Sequence, residues 1–260
     1  MQYALITGAS KGIGKALANE LAARGYNLLL VARSTDLLKD VAAQLKTKHS
    51  IQVDTLAIDL SKPDAALAIK AWCLSNQYEV SVLVNNAGYG LWGYFEKASL
   101  EDQLNMMTLN MNTVVQLTYQ LLPLLKKHKQ AFILNVSSTA AYQAVPTLSI
   151  YAASKSFVLL FTRGLRQELI DSTISVSCLS PGATRTEFMD RAGMEVLKAT
   201  AQKFEMTPEA VAKIGIEGLL SKKAEIIPGF TNYISSKLAS LVPKSLTEKI
   251  ASKLYKTPQQ

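Results

Sequence analysis

The sequence predicts an α/β fold in which a doubly wound parallel β-sheet carries helices on both faces, within a single domain. Short apolar runs alternate with longer amphipathic segments along the chain, as strands joined by crossover helices do. The first apolar run leads into a glycine-rich turn, and polar residues follow several later runs. In a parallel sheet these positions meet at the carboxyl edge, where ligands bind.

Length and composition limit the class of protein. The 260 residues fall within the range of one α/β domain, and a hydrophobic content of 48% excludes general disorder. The apolar runs are too short to cross a bilayer and no signal peptide is recognisable, so we expect a cytoplasmic protein. We interpret Cys73 and Cys178 as buried free thiols. Neither they nor His49 and His128 have the spacing of metal ligands, so no metal site is expected.

The net charge of +8 is concentrated near the end of the chain. Residues 221–260 hold seven lysines and two glutamates. A nucleic-acid-binding surface would combine such charge with arginines, aromatic residues or a recognisable motif. The sequence therefore predicts no nucleic-acid partner.

Seven apolar runs are the expected strands. They lie at residues 3–7, 27–32, 51–58, 80–84, 132–136, 175–179 and 225–227. The segments between them have helical spacing, and helices are expected at residues 15–24, 34–48, from 61, 110–127 and 151–170. The polar residues expected at the carboxyl edge are Asp59, Asn85, Ser138 and the Pro181–Gly182 turn.

The turn after the first strand contains Gly8, Gly12 and Gly14. A strand, a glycine-rich turn and a helix in that order are what a dinucleotide phosphate loop requires. One glycine permits the tight turn, another lets the backbone approach the pyrophosphate, and another allows close packing of helix and strand. The helix N-terminus then faces the phosphates. Because ordinary turns also use glycine, the triplet alone does not establish the function.

Tyr151 and Lys155 are the central pair of candidate catalytic residues. Their spacing of four places both side chains on one face of the expected helix, and Ser138 ends the preceding strand. An ammonium group beside a phenol lowers the pKa of the phenol, which makes it a better acid and base near neutral pH. A serine hydroxyl can hold the substrate oxygen where charge develops. Alternatively, the pair lies side by side on a solvated helix face.

Six features, in this order, resemble the motifs of the short-chain dehydrogenases/reductases. They are residues 7–14 (TGASKGIG), 85–88 (NNAG), Asn110, Ser138, 151–155 (YAASK) and Pro181–Gly182. The resemblance covers roughly residues 3–230. It implies a Rossmann-type fold, a nicotinamide cofactor and hydride transfer at a carbonyl or hydroxyl carbon.

The resemblance also implies roles for individual residues. Tyr151 would be the general acid/base, Ser138 would orient the substrate oxygen, and Lys155 would lower the Tyr151 pKa and hold the nicotinamide ribose. Asn110 would position a water that links Lys155 to solvent. The implied cofactor-binding residues are Gly8, Ser10, Lys11, Gly12, Ile13, Gly14, Arg33, Asp59, Asn86, Gly88, Tyr151, Lys155, Pro181, Gly182, Thr184 and Thr186.

Several of these residues also have simpler structural interpretations. Asn110 and Asp59 are residue types that favour helix caps. The Pro181–Gly182 pair is typical of an ordinary turn. These alternatives stay open on the sequence.

The second strand indicates which cofactor is preferred. An NAD-specific protein places a carboxylate at the end of that strand, whereas this chain has Arg33 there and no acidic residue before Asp36. The Arg33 guanidinium can bind a 2′-phosphate, and Lys11 of the glycine loop can approach it from the other side. We therefore expect NADP(H) as the cofactor. Taken singly, Arg33 or Lys11 could equally be a solvated surface charge.

Residues 186–206 would form a lid over the substrate. Their apolar side chains suit a hydrophobic substrate, although ordinary helix packing would explain them equally well. These lid residues are Phe188, Met189, Met194, Leu197, Phe204 and Met206. Further candidates for the pocket wall are Leu91, Trp92, Tyr142 and Gln143.

Two functions of different classes follow from these residues. The first is an NADP(H)-dependent oxidoreductase acting on a carbonyl or alcohol substrate, and the complete set of four catalytic candidates favours it. The second is a non-catalytic NADP(H)-binding sensor or scaffold, since a fold does not fix a function.

Two segments predict contacts with partners. The helices from Asn110 and Tyr151 have apolar residues on more than one face, which predicts a homodimer or homotetramer. Their apolar residues are Met111, Val115, Leu122, Phe157, Leu160 and Phe161.

Beyond a dinucleotide-binding and catalytic domain at 1–230, residues 231–260 form a basic amphipathic extension. Leu246, Ile250 and Leu254 share one helix face, flanked by Lys249, Lys253 and Lys256. Such a helix can lie on an anionic membrane, but its apolar face can equally pack on the domain or on a partner subunit.

Overall fold

The computed structural model describes residues 2–194 and 205–255. Its centre is one parallel sheet of seven strands in the order β3-β2-β1-β4-β5-β6-β7. The strands are β1 (Tyr3–Thr7), β2 (Asn27–Ala32), β3 (Val53–Ala57), β4 (Val80–Asn85), β5 (Ala131–Val136), β6 (Ile174–Leu179) and β7 (Glu225–Ile226). This is a Rossmann-type fold, and it confirms the predicted fold class.

The helices that connect these strands begin with α1 after the glycine-rich turn. In chain order they are α1 (Gly12–Ala22), α2 (Thr35–Lys48), α3 (Ala65–Ser75), α4 (Leu100–Met107), α5 (Thr113–Leu125), α6 (Ser149–Glu168), α7 (Phe188–Ala192), α8 (Pro208–Leu220), α9 (Phe230–Leu241) and α10 (Lys244–Leu254). A π-helical turn (Thr108–Asn112) joins α4 to α5, and a 3₁₀ turn (Thr139–Tyr142) follows β5.

The central strands are buried on both faces, because helices cover the sheet on each side. In β2, Leu28 and Leu30 point into the core beneath α1, α2 and α8, whereas Leu29 and Val31 point into the core beneath α3 and α5. Side chains alternate in this way because successive residues of a strand face opposite sides. The near-continuous apolar runs of the sequence reflect this two-sided burial.

Three predicted helices differ from the structure. The helix expected from Asn110 is part of a longer helical segment that begins at Leu100. The helix expected from Ser61 begins only at Ala65, after a turn closed by Lys62 N–H and the Asp59 carbonyl. The C-terminal segment forms two helices, because Pro243 lacks the N–H that a continuous helix requires.

Cys73 and Cys178 are buried free thiols, as predicted. Among residues 2–194 and 205–255, no helix has both the length and the apolar composition that a bilayer crossing requires.

Candidate active site

Tyr151, Lys155 and Ser138 come together at the carboxyl edge of the sheet. Tyr151 lies in the first turn of α6 and Lys155 one turn later, and both side chains are buried. The Tyr151 phenol lies near Ser138, which follows β5 and whose side chain acts to lower the pKa of that phenol. The Lys155 Nζ lies 5.8 Å from the centroid of the Tyr151 ring and donates a 3.0 Å hydrogen bond to the Val136 carbonyl. The solvated-face alternative is therefore wrong for this pair.

Serine side chains fix α6 against the end of β5. Ser137 Oγ donates to the Lys155 carbonyl at 2.7 Å, and Ser156 Oγ donates to the Ala141 carbonyl at 2.7 Å. These bonds hold two consecutive residues of the helix to the segment that carries Ser138. The relative positions of the phenol and the serine hydroxyl are thus set by hydrogen bonds between serine side chains and main-chain carbonyls.

Burial controls the ionisation of this pair. It raises the pKa of Tyr151 to about 12, against the opposite effect of the Ser138 side chain, and it lowers the pKa of Lys155 to about 8. The expected net lowering of the phenol pKa by Lys155 is therefore absent in the free protein. The reason is that Lys155 has lost its charge before the pH at which Tyr151 would ionise. Below pH 8, a protonated phenol and an ammonium group stand side by side.

Asn110 lies inside a helical segment, so the helix-cap alternative is wrong. Its Nδ2 donates to the Tyr89 carbonyl at 2.9 Å and to Ser154 Oγ at 3.1 Å, and its Oδ1 accepts from Tyr89 N–H at 3.1 Å. The residue belongs to the π-helical turn, a feature that is frequent at functional sites. It thereby joins α6 to the strand-end segment after β4. Its predicted role in positioning a water stays a prediction.

The glycine-rich turn adopts a conformation that side chains would prevent. Gly8 has φ +66° and Gly12 has φ +51°, both in the left-handed region that favours glycine. A Cβ on Gly14 would lie 2.2 Å from the Gly8 carbonyl oxygen. In the same loop, Ser10 is half-buried and Ile13 packs on the core below. The glycines are therefore required for this loop to form.

Asn86 fastens the glycine loop to the end of β4. Its Nδ2 donates to the Thr7 carbonyl at 2.9 Å and to the Gly8 carbonyl at 3.3 Å. Thr7 Oγ1 in turn accepts from the N–H groups of Asn86 and Ala87, each at 3.0 Å. Thr7 was not among the predicted site residues, although it opens the glycine motif. It acts by fixing the neighbouring loop.

Gly88 lies in close contact with two of the catalytic candidates. A Cβ there would lie 2.9 Å from Asn110 Oδ1 and 3.4 Å from Lys155 Nζ. Gly8, Gly14 and Gly88 thus allow close backbone packing along this edge of the sheet, where a side chain would not fit. These positions fit a dinucleotide, whose pyrophosphate requires close approach of the backbone.

The turn after β6 reaches across to the glycine loop. Thr139 N–H donates to the Pro181 carbonyl at 2.9 Å, and Thr184 Oγ1 donates to the Gly182 carbonyl at 3.0 Å. A Cβ on Gly12 would meet the Thr186 methyl group at 3.0 Å. The predicted cofactor-binding turn therefore lies against the predicted phosphate loop.

The residues predicted to contact the adenosine end have structural partners. Asp59 Oδ1 accepts from Ser61 N–H at 3.0 Å and from Ser61 Oγ at 2.8 Å, and the backbone bond chiefly lowers its pKa. These bonds close a local turn and do not cap α3, which begins only at Ala65 with Asp64 as its N-cap residue, so the helix-cap alternative is wrong for Asp59. Lys11 Nζ forms a 2.6 Å ion pair with Glu187, and both side chains are exposed. Arg33 is exposed next to Asp59 and contributes to the lowered Asp59 pKa.

An apolar cluster surrounds Tyr151 and includes several of the predicted pocket residues. The ring of Phe188 lies 5.5 Å from the Tyr151 ring. The predicted residues found in this cluster are Leu91, Trp92, Phe188, Met189 and Met194. The cluster forms a hydrophobic wall beside the phenol.

Two predicted pocket residues lie elsewhere. Met206 packs on the core on the other face of the sheet, where it pairs with Thr184 in an isolated β-bridge. Tyr142 turns away and donates to Glu225 Oε1 at 2.8 Å. The prediction that Met206 and Tyr142 line the substrate pocket was therefore wrong. Being close in sequence to other pocket residues does not decide which hydrophobic cluster a side chain packs in. Gln143 is half-buried, and Leu197 and Phe204 lie outside the described residues.

Tyr255 is a pocket residue that the sequence did not predict. It packs in the cluster around Tyr151, and its carbonyl accepts from Trp92 Nε1 at 3.2 Å and from Thr147 Oγ1 at 2.8 Å. Thr147 has φ +68°, a strained conformation for a β-branched residue. The phenol of Tyr255 also interacts electrostatically with Tyr151. No sequence signal connects a tail residue to a site more than a hundred positions earlier.

Arg191 is a second residue that was not predicted. Its guanidinium lies 4.4 Å from the centroid of the Tyr89 ring. Burial lowers its pKa, and the positive charge of Arg33 lowers it further. The two arginines therefore share one positively charged region near the carboxyl edge of the sheet.

The fold and the site define an oxidoreductase with a nicotinamide-nucleotide-binding fold. Comparison with known families agrees, since residues 2–196 match the model of the family described as short chain dehydrogenase. The chain belongs to the short-chain dehydrogenase family.

The chain is similar to two groups of curated proteins. It is 34% identical over 224 residues to a very-long-chain 3-oxoacyl-CoA reductase-A from Danio rerio, covering 84% of this chain and 67% of the relative. It is 32% identical over 236 residues to the 17-beta-hydroxysteroid dehydrogenase type 3 from Homo sapiens, covering 90% of this chain and 75% of the relative.

The chain also resembles solved structures over its whole length. A short-chain dehydrogenase from Sphingobium yanoikuyae in complex with NADPH is 29% identical, with a TM-score of 0.83 and coverage of 100% of this chain and 98% of that one. A family member from Burkholderia phymatum in complex with NAD has a TM-score of 0.85 at 22% identity, which shows the shared fold alone.

Proposed function

We propose that the protein is an NADP(H)-dependent oxidoreductase that transfers hydride between the cofactor and a carbonyl or hydroxyl carbon of a hydrophobic substrate. The observation that carries this proposal is the buried Tyr151 phenol near Ser138, with the Lys155 ammonium on the same helix face. The left-handed glycines of the loop at the end of β1 suit a dinucleotide phosphate loop. In reduction the bound cofactor would supply the hydride, and in oxidation it would accept it.

The side chains of the chain provide the proton chemistry. Ser138 Oγ holds the substrate oxygen by a hydrogen bond where negative charge develops. Tyr151, protonated at neutral pH, donates its proton to that oxygen. The charge left on the phenol is stabilised by the ammonium of Lys155, which is itself protonated below pH 8. The three groups therefore perform one proton transfer without a further base.

The glycine loop, the turn after β6 and Lys155 would hold the cofactor. We propose that Arg33 binds the 2′-phosphate, because it is exposed at the end of β2 and no carboxylate lies between Asn27 and Asp36. Arg191 adds positive charge to the same region. The NADPH complex of the Sphingobium protein supports this choice. Lys11 plays a smaller part, since Glu187 already neutralises it.

The pocket favours a large apolar substrate. The wall beside Tyr151 consists of aromatic, methionine and leucine side chains, which bind hydrophobic ligands and adapt to their shape. The names of the relatives support this class, since one reduces very-long-chain 3-oxoacyl-CoA and the other is a hydroxysteroid dehydrogenase. We therefore propose long-chain 3-oxoacyl thioesters or steroid-sized ketones as the first substrates to test.

A panel of ketones tests the proposed function. NADPH or NADH is supplied with long-chain 3-oxoacyl thioesters, steroid ketones and small ketones, and oxidation is followed at the nicotinamide absorbance. We expect turnover with NADPH and the larger ketones. Tyr142→Phe is the matched control for Tyr151→Phe. The Tyr142 phenol faces Glu225, so its removal should leave the rate of NADPH oxidation unchanged. Tight NADPH binding without turnover on any ketone would favour the sensor function instead.

We further propose that the protein is a homodimer or homotetramer. The apolar residues of the π-helical turn, α5 and α6 support this, because Phe157 and Leu160 are exposed and Met111, Val115, Leu122 and Phe161 are half-buried. Exposed apolar patches of this kind mark contact surfaces. A cytoplasmic location stays a prediction.

A further inference from the structure

Each of the two C-terminal helices exposes large apolar side chains along one of its faces. On α9 these residues recur at the spacing of a single helix face, and on α10 they recur every four residues. Phe230 is 79% exposed and Leu241 is 82% exposed. We call these seven residues the C-terminal apolar surface: Phe230, Ile234, Leu238, Leu241, Leu246, Ile250 and Leu254.

The side chains that attach these helices to the domain are small. Ser236 of α9 and Thr247 and Ala251 of α10 are buried, whereas the larger apolar residues point outward. The alternative in which the apolar face of the tail packs on its own domain is therefore wrong. Large exposed apolar side chains grouped along a helix face mark a site of protein or membrane contact.

The charges beside this surface are almost all positive. Residues 230–255 contain Lys237, Lys244, Lys249 and Lys253 against one acidic residue, Glu248, and all five side chains are exposed. Lys249 and Lys253 lie one turn apart beside the apolar stripe of α10. Helices with this arrangement lie at the interface of an anionic membrane, where their lysines reach the headgroups.

We propose that the C-terminal apolar surface binds the surface of an anionic bilayer. The apolar side chains enter the boundary between headgroups and acyl chains, and each nearby lysine adds electrostatic attraction. A second copy of this chain is a poorer occupant, because two-fold pairing would set the lysines of one copy against those of the other. The proposal is independent of the enzymatic function.

Vesicle flotation of the full chain tests this proposal. We expect the protein to float with vesicles of phosphatidylcholine and phosphatidylserine, not with phosphatidylcholine alone, and to be released as salt is raised. Leu238→Ser with Leu241→Ser should lower the bound fraction about tenfold or more. The matched control is Leu67→Ser with Leu74→Ser on α3, where the two leucines are 52% and 49% exposed and Leu238 is 51% exposed.

A second variant keeps every apolar residue in place. Lys249→Gln with Lys253→Gln should weaken binding to the anionic vesicles, and circular dichroism confirms that each variant is folded. The proposal is overturned if the wild-type protein does not float with anionic vesicles or floats equally with neutral ones. It is also overturned if both leucine variants float alike. In that case, a wild-type protein that forms an oligomer and a Leu238→Ser, Leu241→Ser variant that does not would identify this surface as a contact between copies.

Discussion

The ammonium of Lys155 donates a 3.0 Å hydrogen bond to the carbonyl oxygen of Val136, the last residue of β5. The side chain is therefore tied to the sheet while it lies 5.8 Å from the Tyr151 ring centroid. Its burial lowers the pKa to about 8. The charge that would support the phenol is thus present at neutral pH and lost just above it.

The first prediction concerns the pH dependence of carbonyl reduction. We expect kcat/KM to fall above about pH 8, because Lys155 loses its positive charge there while Tyr151 stays protonated up to a pKa of about 12. The measurement is kcat/KM for NADPH-dependent reduction on both sides of pH 8. If kcat/KM stays level until the phenol ionises, the fall at high pH belongs to Tyr151, and the role of Lys155 is contradicted.

The Lys155→Ala variant provides the companion measurement. It should weaken NADPH binding as well as the rate, because the side chain is proposed to serve both the ribose and the phenol. Unchanged cofactor affinity in this variant would contradict the dual role.

The second prediction concerns cofactor preference. Arg33→Ala should weaken NADPH binding by roughly ten- to a hundredfold, since a charge-assisted hydrogen bond contributes about 1.5–3 kcal/mol. NADH binding should barely change, and Ala32→Asp combined with Arg33→Ala should reverse the preference. Titration of each cofactor by its fluorescence measures both affinities.

A control for this prediction lies in the glycine loop. Lys11→Ala should have a smaller effect than Arg33→Ala, because Lys11 is already paired with Glu187 at 2.6 Å. A wild-type protein that uses NADH as well as NADPH would refute the assignment of Arg33.

The third prediction concerns the tail residue in the pocket. Tyr255→Ala should raise KM for a bulky apolar ketone about tenfold, because it removes an aromatic ring from the pocket wall. It should also shift the emission of Trp92, because the rings of Trp92 and Tyr255 belong to the same apolar cluster. Tyr119→Ala, on the exposed side of α5, is the control. Equal KM values and spectra for the two variants would show that the tail does not line the pocket.

The fourth prediction concerns the assembly. Leu160 on α6 is 68% exposed, and Leu160→Glu should dissociate the proposed oligomer because it buries a charge in an apolar contact. Sedimentation of the wild-type protein, of this variant and of Leu67→Glu as a control gives the result. A wild-type protein that sediments as a monomer at micromolar concentration would rule out the interface.

The sheet could be predicted from the sequence because its central strands are apolar on both faces and segments of helical spacing separate the strands. The glycine loop was predictable for a similar reason, since Gly8 and Gly14 occupy positions that no side chain can fill. Tyr151 and Lys155 were predictable because helical spacing alone places them on one face.

Other parts of the site depend on tertiary contacts. Nothing in the local sequence indicates the π-helical turn that buries Asn110, since it depends on bonds to Tyr89 and Ser154. Met206 was assigned to the wrong core, and Tyr255 was missed, because packing partners distant in sequence decide where each side chain lies. Sequence spacing also does not reveal the burial that raises the pKa of Tyr151 in the free protein.

The most direct test of the account is the Tyr151→Phe variant, because it removes one hydroxyl from a buried ring. The measurement is NADPH affinity and, separately, the rate of NADPH oxidation with the best ketone of the panel. We predict nearly unchanged affinity and the loss of nearly all turnover, since only the proton donor is deleted. Near wild-type turnover in Tyr151→Phe would contradict the assignment of Tyr151 as the acid and the proposed mechanism with it.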